Sequence, residues 1–171
     1  MKWETPHKRS RLSESVSVMA LSAEEQAQRV HDAVTRRAYQ ISETHKETGP
    51  RLDQDWLQAE SEVLHPFCGG RMPINGKLWL GTDPGIFKEG SIELWVAPHR
   101  LTVCGLPRAE DKAAPAGKGS GPEEKIYEVI ELRDEVDPAR VTAGVRSATL
   151  EIVLGKPEHG KKVEKEFKVA A

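Results

Sequence analysis

Aromatic residues make up only 5% of this 171-residue chain, and its two cysteines, Cys68 and Cys104, are too few for a disulfide framework. No run approaches the ~20 apolar residues of a membrane helix, and the basic N-terminus lacks the apolar stretch of a secretory signal. A reducing, cytoplasmic setting is therefore expected. Charge is nearly balanced at a formal net of -2, which leaves no global attraction to nucleic acid or to an anionic membrane. The local basic cluster of Lys8, Arg9 and Arg11 lies in a polar tail, where solvated charge accounts for it.

The chain also lacks the common catalytic signatures. There is no G-x-S-x-G, no H-E-x-x-H, and no phosphate-cradling glycine loop, since the glycines at 117–121 stand between neither a buried strand nor a helix. Glu60, Glu62, Asp134 and Glu135 fall on helix faces or turns, where solvated charge explains them. His65, Cys68, His99 and Cys104 carry zinc-type donor atoms, but at a non-standard spacing. Cys104 lies within a strand and reads as a small buried hydrophobe. The expectation is a non-enzyme with no cofactor and no metal.

What is present is organised. Hydrophobic residues are 37% of the chain, enough for one core. Residues 1–21 show no sustained period and are expected to be disordered; Met19 precedes the first patterned segment, so residues 1–18 read as dispensable or as a mis-assigned start. Ser22 and Glu25 have capping-box spacing. Ala27, Val30, Val34, Ala38 and Ile41 then form one apolar stripe of a helix running to about Lys46. Thr48-Gly49-Pro50 stops it. A second helix is expected after Asp53 or Asp55, ending at Pro66, so residues 22–65 form a helical hairpin too small to stand alone.

From Pro66 the period changes to that of strands. Cys68-Gly69-Gly70 and Pro73 read as a loop-rich junction. Strands are expected at Lys77–Gly81, Ser91–Ala97, Leu101–Gly105, Ile126–Leu132, Val141–Val145 and Thr149–Leu154. Residues 107–125 are rich in proline and glycine and read as a flexible loop within a domain spanning 66–156; residues 157–171 are a charged tail. Short strands separated by turn signals imply a mainly β fold, an immunoglobulin-like antiparallel β-sandwich behind an α-helical hairpin.

Several runs together resemble a known family. Asp83-Pro84-Gly85-Ile86-Phe87, Ser91 to Val96 and Leu101 to Gly105 are similar to the first half of the α-crystallin domain of small heat-shock proteins. Ile126 to Leu132, Asp134 to Pro138 and Ala143 to Leu150 are similar to its second half. The resemblance covers about residues 74–156, with Ala148 in place of the family's signature glycine. Residues 30–64 separately resemble a short bacterial domain of unknown function, through Arg37-Ala38-Tyr39 and Asp55-Trp56-Leu57-Gln58-Ala59-Glu60.

The α-crystallin resemblance implies an ATP-independent chaperone that holds unfolded or partly folded proteins and can self-associate, without nucleic-acid or membrane partners. The alternative is an adaptor for one folded partner. The resemblance also implies a client groove bordered by edge strands carrying Ile92, Leu94 and Val96, and Leu150, Ile152 and Leu154; the same alternation equally describes a plain sandwich core. Phe167 and Val169 stand nearest to the family's C-terminal anchor. Trp95 faces away from Ile92, Leu94 and Val96, so it is either exposed or covered by the hairpin.

Overall fold

The alternation in residues 93–105 and 126–131 divides their side chains between two faces, and both faces are buried. A computed structural model describes residues 14–49, 51–75, 77–108 and 124–157. Its strands are β1 (Glu14–Ser15), β2 (Ser17–Ala20), β3 (Gly70–Ile74), β4 (Lys77–Thr82), β5 (Glu93–Ala97), β6 (Arg100–Gly105), β7 (Ile126–Glu131), β8 (Val141–Arg146) and β9 (Thr149–Gly155). One sheet has the order β1-β8-β9-β4-β3 and the other β2-β5-β6-β7. All pairings are antiparallel except that of β2 with β5. The architecture is the expected sandwich behind a helical hairpin.

The inner faces supply the main core, which includes Leu80, Leu94, Leu101, Ile130, Ile152 and Leu154. On the opposite face of the four-stranded sheet, Trp95, Cys104 and Tyr127 pack with Ala33, Val34 and Ile41 of α1 (Ala23–Thr44) and Ala59 and Val63 of α2 (Leu52–Val63). The hairpin thus forms a third layer, and Trp95 is covered by it. Its cover is specific. Gln26 is fully buried, donates to the Leu21 carbonyl at 2.9 Å and accepts from the Thr102 hydroxyl at 2.8 Å, so burial leaves neither end of its amide unpaired. Arg37 pairs with Glu62 across the two helices.

The start of α1 follows its sequence closely. The Ser22 side chain accepts from the Glu25 amide at 3.1 Å, and the Glu25 carboxylate accepts from the Ser22 amide at 3.0 Å. The β8–β9 turn, by contrast, works against its residues. Ser147 and Ala148 have φ of 48° and 57°, the left-handed conformation that a two-residue hairpin demands and that non-glycine residues resist. Replacing Ala148 with glycine is expected to raise stability by about 1 kcal/mol, less the added freedom of the unfolded chain. A urea melt giving equal or lower stability would remove that account of the turn.

Two sequence expectations need correction. Residues 14–20 are not structureless: they form β1 and β2, because a short segment with little period of its own is ordered by sheet edges already in place. Residues 1–13 lie outside the described residues. The junction at 68–73 includes a strand, since β3 pairs along its length with β4, from Gly70 opposite Gly81 to Ile74 opposite Lys77. The Asn75-Gly76 dipeptide between them is a strong hairpin signal, and Pro73 is compatible with an edge position.

Candidate functional site

A sandwich can recognise an extended chain where its sheet edges are open or lightly held, because edge strands carry backbone donors and acceptors without a partner.

The first such edge is β3. It ends the five-stranded sheet, all five residues are exposed, and Met72 and Ile74 are 51% and 45% accessible. Arg71 reaches across to the Glu131 carbonyl on β7 at 3.4 Å and lies over the Phe67 ring at 5.4 Å. On β7 itself, the edge is capped where the His65 amide donates to the Tyr127 carbonyl at 2.8 Å.

The second lies on the other side, where β8 and β5 would be the outer strands without residues 14–20. That segment crosses from sheet to sheet. Glu14 and Ser15 pair antiparallel with Val145 and Gly144; Ser17 to Ala20 then pair parallel with Glu93 to Val96. Val16, between the two, is 8% exposed and belongs to the main core. Val18, Met19 and Ala20 are exposed. Val16 is the buried valine of this segment, worth about 1.5–3 kcal/mol, and edge hydrogen bonding adds to its hold.

All six residues expected to line a groove are buried in the main core. β5 has neighbours on both sides, as has β9. The expectation that both were edge strands is corrected. Ile92, Leu94, Val96, Leu150, Ile152 and Leu154 face the opposite sheet because their alternation matches the pleat. The seam runs along β5 and β8, not β9. Phe167 and Val169 lie outside the described residues. The seam's own segment, Val16-Ser17-Val18, carried only a weak signal: two valines spaced by one residue in a polar stretch.

Electrostatics add one unusual group. Glu128 alternates with Ile126 and Ile130, so it points toward the core and is 4% exposed; its Oε2 has no hydrogen-bond partner. Burial, with a smaller contribution from the nearby Asp83 charge, pushes its carboxyl up to about 7. Burial also pushes the Cys104 thiol and the Tyr127 phenol up to about 12 each, which keeps both neutral. Among the described residues no three His, Cys, Asp or Glu side chains gather as a metal site, and no helix is long and apolar enough to cross a membrane.

Two cavities flank the hairpin. One of about 430 Å³ is lined by Arg29, Arg36, Trp95, Lys125 and Tyr127 among others. The other, about 360 Å³ and mainly apolar, lies between Val30, Val34, Trp56, Leu64 and the Thr102 and Val129 side of the sheet.

Fold and site together define a two-sheet sandwich in which, among the described residues, β3 is an exposed edge strand, the chain's own N-terminal segment pairs with β5 and β8, and a helical hairpin covers the outer face of the four-stranded sheet. No known family model matches the chain, and no curated protein matches it in sequence. Solved structures to which it is similar are small heat-shock proteins. HSP18.5 from E. histolytica is 10% identical, over 58% of this chain and 95% of that one, with a TM-score of 0.43. Heat shock protein 16.0 from Schizosaccharomyces pombe is 15% identical, over 55% and 75%, with a TM-score of 0.42. The hspA of Xanthomonas axonopodis is 17% identical, over 54% and 94%, with a TM-score of 0.41.

Proposed function

We propose that this chain is an ATP-independent holdase that captures partly unfolded proteins by adding their extended segments to its sheet edges. The observation that carries the reading is β3, an edge strand exposed over its full length that offers Met72 and Ile74 beside its outer backbone. Strand addition needs no nucleotide and no catalytic residue, since backbone hydrogen bonds supply affinity and alternate side chains supply selectivity. The α-crystallin-like order of runs in residues 74–156 supports the same reading, and Cys68 and Cys104, both free thiols, suit a reducing cytoplasm. Self-association through the same edge is part of the proposal.

A second reading, an adaptor for one folded partner, is favoured by the seam at β5 and β8, which the chain already fills by itself. Aggregation of several unrelated model clients, followed by light scattering with and without the protein, separates the two. The holdase is expected to suppress aggregation of most clients at a few-fold excess, and Met72→Lys with Ile74→Lys is expected to remove at least half of that suppression. No effect on any client at large excess would exclude the general holdase and leave the adaptor.

A further inference from the structure

Glu60 reads from the sequence as one more solvated carboxylate of α2, but the structure places it differently. It is half-buried and lines the mainly apolar cavity of about 360 Å³ between the hairpin and the four-stranded sheet. Its helix neighbour Glu62 pairs with Arg37, whereas Glu60 has no cationic partner among the described residues. The apolar wall is built from three elements: Val30 and Val34 of α1, Trp56 and Leu64 of α2 and its C-cap, and Val129 of β7. The other polar groups of the lining are engaged. The Gln26 amide is bonded at both ends, to the Leu21 carbonyl and the Thr102 hydroxyl. Arg100 donates to the Glu131 carboxylate through Nε at 2.8 Å, with Nη2 at 2.7 Å from the same oxygen, so its charge is already answered. His31, an exposed residue, sets its ring 5.4 Å from that of Trp56. What remains is an apolar cavity with one unanswered carboxylate and one indole in its wall.

We infer that this cavity binds a small organic cation, an amine or quaternary ammonium on an aromatic or aliphatic body, with Glu60 as its counter-ion and Trp56 as its aromatic wall. The apolar body follows from the lining, because hydrocarbon laid against Val30, Val34, Leu64 and Val129 leaves water. The positive head follows from Glu60 and Trp56. A carboxylate in a partly dry wall gains more from a cation than one in bulk water, and an indole face attracts the same charge. An anionic head would meet Glu60 and would have to displace Glu131 from Arg100. The wall comes from both helices and the sheet together, so an occupant ties the hairpin to the sandwich and stabilises the folded chain by mass action. The site lies apart from the sheet edges and is independent of strand capture.

The test uses the full chain and three probes of one skeleton: naphthylmethylamine, naphthylmethanol and naphthoate. Each is titrated at neutral pH while the methyl signals of Val30, Val34, Leu64 and Val129 are followed by NMR. The amine, protonated at that pH, is expected to shift those signals and to bind at least 10-fold tighter than the alcohol, with naphthoate weakest. It is also expected to raise the melting temperature as its concentration rises. Glu60→Gln is expected to bring the amine down to the affinity of the alcohol and to leave the alcohol unchanged. Val30→Phe, which fills the cavity, is expected to abolish binding of all three, with circular dichroism reporting that each variant is folded.

Equal affinity for the three probes would overturn the cation site, as would an amine affinity that Glu60→Gln does not change. Tightest binding of naphthoate would overturn it in favour of Arg100. No shift of the four residues' methyl signals by any probe up to about 1 mM would show the cavity to be a packing gap only. Glu60→Gln removes the charge and keeps the shape, so it decides the question even where Val30→Phe fails to fold. Amine binding of the expected kind, together with no suppression of aggregation, would leave the cation site standing and remove the holdase.

Discussion

Replacing Trp95 with alanine is expected to cost about 3–5 kcal/mol of stability, the range for deleting a large buried aromatic side chain. Trp95 is buried on the hairpin side of the four-stranded sheet, with the Tyr127 ring centroid at 5.6 Å and the Arg29 guanidinium 5.2 Å from its own ring. Ala33, Ala59 and Cys104 of that second cluster are too small to refill the space. Its indole N–H has no hydrogen-bond partner, so truncation does not break a bond and the loss is one of packing.

The hairpin has too few residues to hold its fold alone. Loss of its largest contact is therefore expected to loosen α1 and α2 ahead of the sandwich. Urea denaturation followed by far-ultraviolet circular dichroism measures the first effect. Limited proteolysis near residues 45–52, rising at least several-fold in the variant, measures the second. Trp79 on the five-stranded sheet is only partly buried, so Trp79→Ala serves as a control expected to leave the hairpin resistant. A Trp95→Ala loss below about 1 kcal/mol, or a hairpin as resistant as before, would show that the helices are held by other means.

The second large effect is one of pH. Below the ordinary carboxylate value both folded and unfolded forms hold the Glu128 proton, and the group costs nothing. As pH rises toward 7 the unfolded chain releases the proton while the folded chain retains it, so stability falls across that window. Above about 7, the position of the raised carboxyl, the cost is complete and constant, on the order of 3 kcal/mol for a shift of this size. Glu128→Gln is expected to flatten the fall between pH 5 and 7.5 and to be the more stable form at pH 8. Groups common to both proteins drop out of the difference. Parallel pH profiles for wild type and variant would place the Glu128 carboxyl at an ordinary value.

Which of these features were legible in advance follows a physical rule. Where an element is specified locally, the amino-acid order was enough. The Ser22–Glu25 box set the start of α1 to within a residue, and the runs at 91–97, 101–105 and 149–154 located strands. Glu128 shares the core face because it alternates with Ile126 and Ile130.

β2 was not legible, because nothing in Ser17-Val18-Met19-Ala20 prefers a strand until β5 offers it an edge. β3 was hidden by Gly69, Gly70 and Pro73, although Asn75-Gly76 pointed to its turn. The six groove residues carry a pattern that core and lining share, and only the neighbours of each strand distinguish the two.

The sequence by itself thus determined the helices, most of the strands and the two-faced pattern of the central sheet, since these depend on residues close along the chain. The tertiary structure alone decided which strands lie at an edge, that the hairpin rather than solvent meets Trp95, and that Val16 closes the seam. Each of those facts is a contact between segments far apart in sequence, and its free energy exists only once both surfaces have formed.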